Sequence, residues 1–105
     1  MEKFIQLDKL ALKEMMKGGF AGFVQTENLT VAYTDMKPGV EVPWHEHPEE
    51  AIDIILEGEL EMNIGPDNSV LKQGMITIVP GNVPHRAVAI TECKVITIFY
   101  PQRKL

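Results

Sequence analysis

The segment PWHEHPEEAIDIILEGE, residues 43–59, contains the pattern that decides the fold prediction. His45 and His47 are separated by one residue, Glu49 and Glu50 follow, and a run of branched apolar residues comes next. On a strand, side chains two residues apart point to the same face about 6.6 Å apart, so both imidazoles can reach one ion. Neutral imidazole is a favoured ligand of zinc, copper, iron and nickel. The segment therefore indicates a metal site, and the simpler alternative is two solvated surface histidines.

The third histidine of the chain, His85, lies in the segment PGNVPHRA, directly after a Pro-Gly-Asn turn. All three histidines occupy places where a strand begins after a turn. Because a third imidazole from a distant segment can complete a site that two histidines begin, His85 is the third candidate ligand. A bound ion would then join two segments about 40 residues apart and stabilise the fold.

The dominant hydrophobic period of the chain is two, which is typical of half-buried β-strands. Residues 59–65 alternate Leu, Met and Ile with Glu, Glu and Asn. Turn signals separate further β-branched or aromatic runs at 30–36, 51–57, 75–79, 85–90 and 94–100. Many short strands at this spacing indicate an antiparallel sandwich or barrel. Only residues 8–17 favour a helix, with Asp8 as its cap and Gly18-Gly19 as its end.

Length and composition exclude several classes of protein. The chain has 105 residues, of which 45% are hydrophobic and 24% charged, as expected for one globular domain. A formal net charge of −5 disfavours nucleic acid as a partner, because a phosphate backbone needs a concentrated basic face. No apolar run approaches the roughly 20 residues that span a bilayer, and the charged amino-terminal segment does not resemble a signal peptide. We expect one cytoplasmic domain, residues 1–105, with neither nucleic acid nor membrane as a partner.

Two motifs make the chain resemble the small single-domain cupins. Residues 39–58 follow the first cupin motif, which has a glycine, five residues, HxH, an acid and a closing glycine. Residues 74–85 follow the second motif, in which Asn82 replaces a glycine and, like glycine, tolerates left-handed backbone. The resemblance implies an all-β, cupin-type antiparallel barrel with a jelly-roll-like double sheet and at most one short amino-terminal helix. It also implies a metal ion in the lumen and a homodimer.

The chain departs from the cupin pattern at Ala51, where the acid of the first motif is expected. Alanine cannot bind a metal ion. Glu50 is one residue short, which on a regular strand directs it to the opposite face, and Glu49 lies in a turn. We favour three histidines and open positions for water or substrate around one divalent transition metal ion, Zn, Ni, Mn or Fe. The alternatives are a fourth ligand from Glu49 or Glu50, or an acid from elsewhere in the lumen.

Asp53 has two interpretations. The apolar alternation alone makes Ile52, Ile54 and Leu56 the buried face of their strand, which would leave Asp53 exposed. The cupin resemblance implies the opposite, because position 51 should face the lumen. An acid in the lumen is a candidate general base, or a hydrogen-bond partner of a ligand histidine.

Among small cupins, the chain most resembles the pectin-degradation type, which opens unsaturated uronates. The similarity covers PGNVPHRAVA and the carboxy-terminal IFYPQR. In that type an aspartate and an arginine near the last strand serve the reaction. Thr97 stands in place of the aspartate, whereas Arg103 is retained. Arg103 suits a substrate carboxylate, and its alternative is a solvated terminal charge.

Three functions follow from these residues. The first is a metal-dependent enzyme that isomerises or opens a small oxygen-rich substrate, such as a uronate or keto sugar, with Asp53 or a bound water moving a proton. The second is an iron dioxygenase, because three histidines without a carboxylate resemble the three-histidine cupins that activate oxygen. Neutral ligands leave the full charge of the ion for an anionic substrate. The third is a ligand-binding cupin without catalysis, which the changes at Ala51 and Thr97 favour.

Overall fold

The computed structural model describes residues 2–105, which form ten β-strands in two antiparallel sheets. The strands are β1 (Lys13–Met16), β2 (Gly19–Gln25), β3 (Thr30–Met36), β4 (Glu41–His45), β5 (Glu50–Glu57), β6 (Glu59–Ile64), β7 (Asp67–Lys72), β8 (Ile76–Val79), β9 (His85–Ala89) and β10 (Cys93–Tyr100). One sheet has the order β1-β2-β3-β10-β5-β8, and the other has the order β4-β9-β6-β7. The all-β double-sheet prediction is confirmed.

The core lies between the two sheets because most inward residues of the strands are apolar. Leu60 and Met62 of β6, for example, are buried, and they alternate with partly exposed Glu59, Glu61 and Asn63. The inward side chains of both sheets form one cluster that includes Met36, Ile55, Leu71, Val79, Val95 and Phe99. Within residues 2–105, no helix is long and apolar enough to cross a membrane.

The helix predicted for residues 8–17 is wrong. Leu7–Lys9 form a single 3-10 turn, and β1 pairs with β2 as an antiparallel hairpin. Gly18, at φ +81°, forms the turn of this hairpin instead of ending a helix. Met16 packs against the core from β1. Strand pairing and burial of Met16 therefore outweigh the weak local helix preference of this segment.

Gly58 forms the tight connection between β5 and β6. Its φ of +90° lies in the left-handed region, which residues with a side chain rarely adopt. A Cβ at this position would also collide with the carbonyl oxygen of Glu92, in the turn before β10. Gly74, before β8, has a similar φ of +88°, but nothing lies within 4 Å of a Cβ there.

We therefore predict that Gly58→Ala destabilises the protein more than Gly74→Ala. The left-handed backbone alone costs roughly 1–2 kcal/mol for alanine. For a domain of this size, that cost lowers the melting temperature by roughly 5–10 °C, which is our expectation for Gly74→Ala. Gly58→Ala adds the collision with Glu92 and should melt well below it. Thermal denaturation of both variants measures the difference, and equal melting temperatures would contradict the packing described for Gly58.

Candidate metal centre

His45 and His85 face each other across β4 and β9. Their Cα atoms are paired in the register of these strands, and their ring centroids are 4.1 Å apart. His47 lies two residues beyond β4, with its ring centroid 4.8 Å from that of His85. The HxH spacing correctly predicted that the imidazoles meet. The prediction that both histidines begin a strand is wrong, because His45 ends β4 and His47 lies beyond it, whereas His85 does begin β9.

The loops that carry the two motifs are joined by backbone contacts. The amide N–H of Asn82 donates a hydrogen bond to the carbonyl oxygen of His47, at 2.7 Å. Asn82 has a φ of 62°, the left-handed conformation that the sequence indicated it would tolerate. Gly81 packs so tightly against the carbonyl of Pro48 that a Cβ would collide with it. The turn of the second motif therefore positions His47 through the chain itself.

Each imidazole of the cluster directs one nitrogen toward a backbone carbonyl oxygen. The Nδ1 atoms are 2.9, 2.9 and 2.8 Å from the carbonyl oxygens of Pro43, Glu49 and Val83, for His45, His47 and His85 respectively. A carbonyl oxygen only accepts hydrogen bonds, so Nδ1 carries the proton, and Nε2 of the neutral ring keeps its lone pair. One nitrogen from each ring lies within 4.8 Å of the others. The cluster could therefore hold one metal ion through three Nε2 atoms.

Burial lowers the pKa of two histidines of the cluster. Desolvation is the largest cause for both His47 and His85, and their contacts with backbone carbonyls oppose it. The positive charge of Arg103 lowers the pKa of His47 further. A lowered pKa favours the neutral ring, which is the form that binds metal ions.

The cluster of potential ligands contains no carboxylate among residues 2–105. Ala51, where the cupin acid is expected, is buried at 3% exposure, and Glu50 is exposed. The side chain of Glu49 is largely buried, but its Oε1 lies 3.7 Å from Nδ1 of His47, the nitrogen that faces the carbonyl oxygen of Glu49, and Glu49 is not part of the histidine cluster. Oε1 of Glu49 also lies 3.9 Å from Nε of Arg103 and has no hydrogen-bond partner. This arrangement favours three nitrogen ligands over a fourth ligand from either glutamate.

Asp53 faces the lumen, where it is 8% exposed. The hydroxyl of Thr77 donates to its Oδ2 at 2.9 Å, and the hydroxyl of Thr97 donates to its Oδ1 at 2.6 Å. Both threonines are its direct partners on the strands either side, β8 and β10. The inward orientation implied by the cupin resemblance is confirmed, and the exposure predicted from apolar alternation is wrong. The alternation failed because Ile52 and Ile54, on the other side of β5, are apolar although they face outward.

Thr77 and Thr97 are site residues whose role the sequence did not reveal. Thr97 stands where pectin-degradation cupins have an acid, and the carboxylate of Asp53 reaches its hydroxyl from the neighbouring strand. A carboxylate of β5 therefore lies against the side chain of Thr97 on β10 in this part of the lumen. The alternation of buried residues along a strand could have indicated these threonines. Thr77, for example, lies two residues before Val79 on β8, and both side chains are buried.

A cavity of about 400 Å³ is lined by the histidines, Asp53 and Arg103. Much of the remaining wall is apolar, from Met16, Met36, Met62 and Phe99. The guanidinium carbon of Arg103 lies 5.1 Å from the ring centre of Phe99. The backbone N–H of Arg103 donates to Thr30 Oγ1 at 2.9 Å, and its carbonyl accepts from Gln25 Nε2 at 2.8 Å. Arg103 is therefore an anchored residue of the cavity wall, in contrast to a freely solvated terminal charge.

Residues 32–99 match the protein family described as Cupin domain. The chain is a cupin. Its family membership was predicted from the spacing of the two motifs, and this prediction is confirmed. No curated protein matches the sequence.

Solved structures with the same fold include several cupins. An RmlC-like cupin from Shewanella frigidimarina is 25% identical, with a TM-score of 0.92 over 99% of this chain and 95% of that one. KdgF from a Halomonas species is 21% identical, with a TM-score of 0.92 over 99% and 97% of the two chains. Oxalate decarboxylase from Bacillus subtilis, which has Mn(II) centres, is 20% identical, with a TM-score of 0.82 over 92% of this cupin and 29% of that enzyme.

We predict that the metal-free cupin loses stability as the pH falls below 6.5. The folded-state pKa values of His47 and His85 are lowered from 6.5, so the unfolded chain takes up protons first as the pH falls. The contribution of these rings to stability is fully present above pH 6.5 and decreases between 6.5 and the lowered folded values. Thermal melts in chelator between about pH 5.5 and 7.5 measure this effect. A His47→Asn, His85→Asn variant should show a flatter dependence, and an equally steep one would contradict the assignment.

Proposed function

We propose that this cupin binds one divalent transition metal ion through His45, His47 and His85 and acts on a small, oxygen-rich anion. The observation that carries the proposal is the convergence of three imidazoles whose Nδ1 atoms are all held by backbone carbonyls. Three neutral nitrogens suit zinc, nickel and iron. The Mn(II) centres of oxalate decarboxylase, which has the same fold, support the inclusion of manganese.

The cavity supports an anionic substrate about the size of a sugar. Its volume of about 400 Å³ is in the lower part of the range for small-molecule sites. Arg103 and Lys104 line it and supply positive charge, and the planar guanidinium matches the two oxygens of a carboxylate. A uronate or keto sugar meets these requirements. The resemblance of PGNVPHRAVA and IFYPQR to pectin-degradation cupins favours the same class.

Asp53 is the residue best placed to move a proton. A bound ion supplies Lewis acidity, which polarises a substrate carbonyl or hydroxyl oxygen. The hydroxyls of Thr77 and Thr97 fix both carboxylate oxygens of Asp53 within the cavity, so the acid has a defined position relative to a bound substrate. The side chains of Met36, Met62 and Phe99 line the same cavity and give it a largely apolar wall.

A second candidate function is a three-histidine iron dioxygenase. It is supported by the lack of a carboxylate in the histidine cluster of residues 2–105. Three neutral ligands leave the charge of the ion available for an anionic substrate. Oxygen consumption that depends on both iron and substrate would distinguish this chemistry from a proton-transfer reaction, which proceeds without oxygen.

Metal binding should raise the melting temperature of the chelator-treated protein. At a free metal concentration 100 times the dissociation constant, binding adds about 2.7 kcal/mol to the free energy of unfolding. For a domain of this size the melting temperature should rise by about 10 °C or more. His85→Ala should abolish this rise, whereas Glu50→Gln, at an exposed position beside Ala51, should keep it. If Zn, Ni, Mn and Fe all leave the melting temperature unchanged, the proposed centre is refuted.

The Glu49→Gln variant tests whether the metal ion has three protein ligands or four. The carboxylate lies on the Nδ1 side of His47, so we expect the amide variant to bind the metal with wild-type stoichiometry and nearly wild-type affinity. Competition with a chelator of known affinity measures both quantities. A loss of affinity of 100-fold or more would identify Glu49 as a metal ligand and contradict the geometry described above.

Asp53→Asn should lower turnover by roughly 10²–10⁴-fold, the usual contribution of a general acid or base. The amide keeps the size of the side chain but cannot act as a general base. Because Asp53 is not part of the histidine cluster, metal content should stay at the wild-type level. A screen of uronates and keto acids with metal-loaded protein, with and without oxygen, identifies the substrate to be used. Glu50→Gln is the control. Wild-type turnover in Asp53→Asn would exclude Asp53 as the base, and a lack of turnover on every substrate would favour a ligand-binding cupin.

A further inference from the structure

The polar groups of the cavity are gathered at one end of it. The ring centre of Phe99, near the end of β10, lies 5.5 Å from that of His47 and 5.1 Å from the guanidinium carbon of Arg103. Asp53 is the direct partner of Thr97, two residues before Phe99 on β10. The histidine cluster, the acid and the guanidinium therefore all line the end of the cavity nearest to Phe99.

The cavity continues from this polar end along β2 and β3. Ala32 is the partner of Thr97, and Thr34 and Met36 follow it on β3, where all three line the cavity. The four residues from Ala32 to Met36 span about 13 Å of strand. Ala21, the partner of Thr34 on β2, lines the cavity at the same level. We define the apolar end of the cavity as the part lined by residues of β1, β2 and β3.

The apolar end offers almost no hydrogen bonds to a ligand. On β1, β2 and β3, which the structure describes in full, Thr34 carries the only hydroxyl, amide or charged group of the cavity wall. The other wall residues there are methionine, alanine, glycine and phenylalanine. The small side chains of Ala21 and Ala32 leave room between the sheets, and the unbranched side chains of Met16 and Met36 can adapt to an apolar group of varied shape.

From this division we infer that the substrate carries an alkyl or aryl group at the end remote from its carboxylate and keto oxygens. The inference rests on the proposed function, in which the metal ion and Arg103 hold the oxygen-bearing end of the substrate. The apolar end of the cavity then holds the alkyl or aryl group. Among the anions proposed above, this arrangement selects keto acids with an apolar tail over uronates.

A sugar ring does not match the apolar end of the cavity. A uronate has hydroxyl groups around its ring, and Thr34 is the one side chain of β1, β2 and β3 that could pair with those that reach this part of the wall. A hydroxyl group that leaves water without a new partner loses hydrogen bonds, which weakens binding. An alkyl or aryl group needs no such partner, and its transfer from water to the side chains of Met16 and Met36 is favourable.

Straight-chain 2-oxo acids test the inference on the metal-loaded wild-type protein. Pyruvate, 2-oxobutanoate, 2-oxopentanoate and 2-oxohexanoate share the same oxygen-bearing end and differ by one methylene at each step. Isothermal titration calorimetry should show a dissociation constant that falls about fourfold with each methylene, the usual gain for burying that group. Galacturonate should bind at least tenfold more weakly than 2-oxohexanoate. Absence of binding, a dissociation constant that does not change along the series, or tighter binding of galacturonate would overturn the inference.

The same titrations separate a failure of this inference from a failure of the proposed function. If a metal ion raises the melting temperature and pyruvate binds, but the longer acids bind no more tightly, the metal centre stands and the apolar tail is refuted. If no metal ion binds, the oxygen-bearing end of the substrate has no site, and both are refuted.

Ala21→Leu places a larger side chain in the apolar end of the cavity, on a strand three positions from that of Asp53 in the sheet. The dissociation constant of pyruvate should stay within twofold of the wild-type value, whereas that of 2-oxohexanoate should rise at least tenfold. Ala11→Leu is the matched control, because Ala11 is exposed and lies outside this cavity wall, and its variant should bind both acids as the wild-type protein does. An equal effect of Ala21→Leu on both acids, or no effect on either, would overturn the inference.

Met16→Gln provides a second variant if Ala21→Leu does not fold. Met16 lines the cavity and is only partly buried, so glutamine keeps the length of the side chain and adds a polar amide. The gain in affinity per methylene should fall below twofold. Met75→Gln, at a position outside the cavity wall, should keep the fourfold gain. Equal gains in these two variants would contradict the role of the apolar end, and the wild-type series decides the question where a variant does not fold.

Discussion

The alternation of side chains along β5 is the constraint on which both faces of the larger sheet depend. Ala51, Asp53 and Ile55 point into the lumen, and Ile52 and Ile54 point outward. Because the period of a strand is fixed at two, a slip of one residue would exchange the two sets. It would leave the acid outside and put isoleucines beside the histidines. The neighbouring strands oppose such a slip on both faces, since Thr77 and Thr97 hold the acid inside while isoleucines pair outside.

Hydrophobic alternation predicted most strands after residue 30 to within one or two residues, because their inward positions bury apolar side chains in a shared core. It failed for strands in which buried and exposed residues do not alternate. β4 and β7 were not predicted, since no residue of β4 is buried and all but one residue of β7 are exposed, and such strands show no apolar period. The amino-terminal segment has apolar residues that fit a helix as well as a strand. Its pairing with β2, which local sequence does not specify, decided the outcome.

The three histidines of the candidate centre could be predicted from the sequence, but the residues around them could not. Motif spacing brought His45, His47 and His85 together, and the structure places them in one cluster. The hydrogen bonds of Asp53 join residues 24 and 44 positions apart, and they depend on the register of three strands, which no local pattern encodes. The direction of β5 was wrongly predicted from alternation, because its outward residues, Ile52, Ile54 and Leu56, are more apolar than its inward ones. Only the family resemblance, through the expected inward position of residue 51, chose the correct face.

Backbone contacts between the two motif loops, not the side chains around the candidate metal centre, set the position of the His47 loop. Asn82 and Gly81 hold the loop of His47 through main-chain atoms, and position 51 takes no part in that contact. The position of this loop therefore does not depend on which side chain stands at position 51. An acid in place of Ala51 would add a negative charge to the cavity that the three histidines line. In evolutionary terms, position 51 is a place where the charge of the cavity can change without altering the backbone contacts that hold the loop of His47.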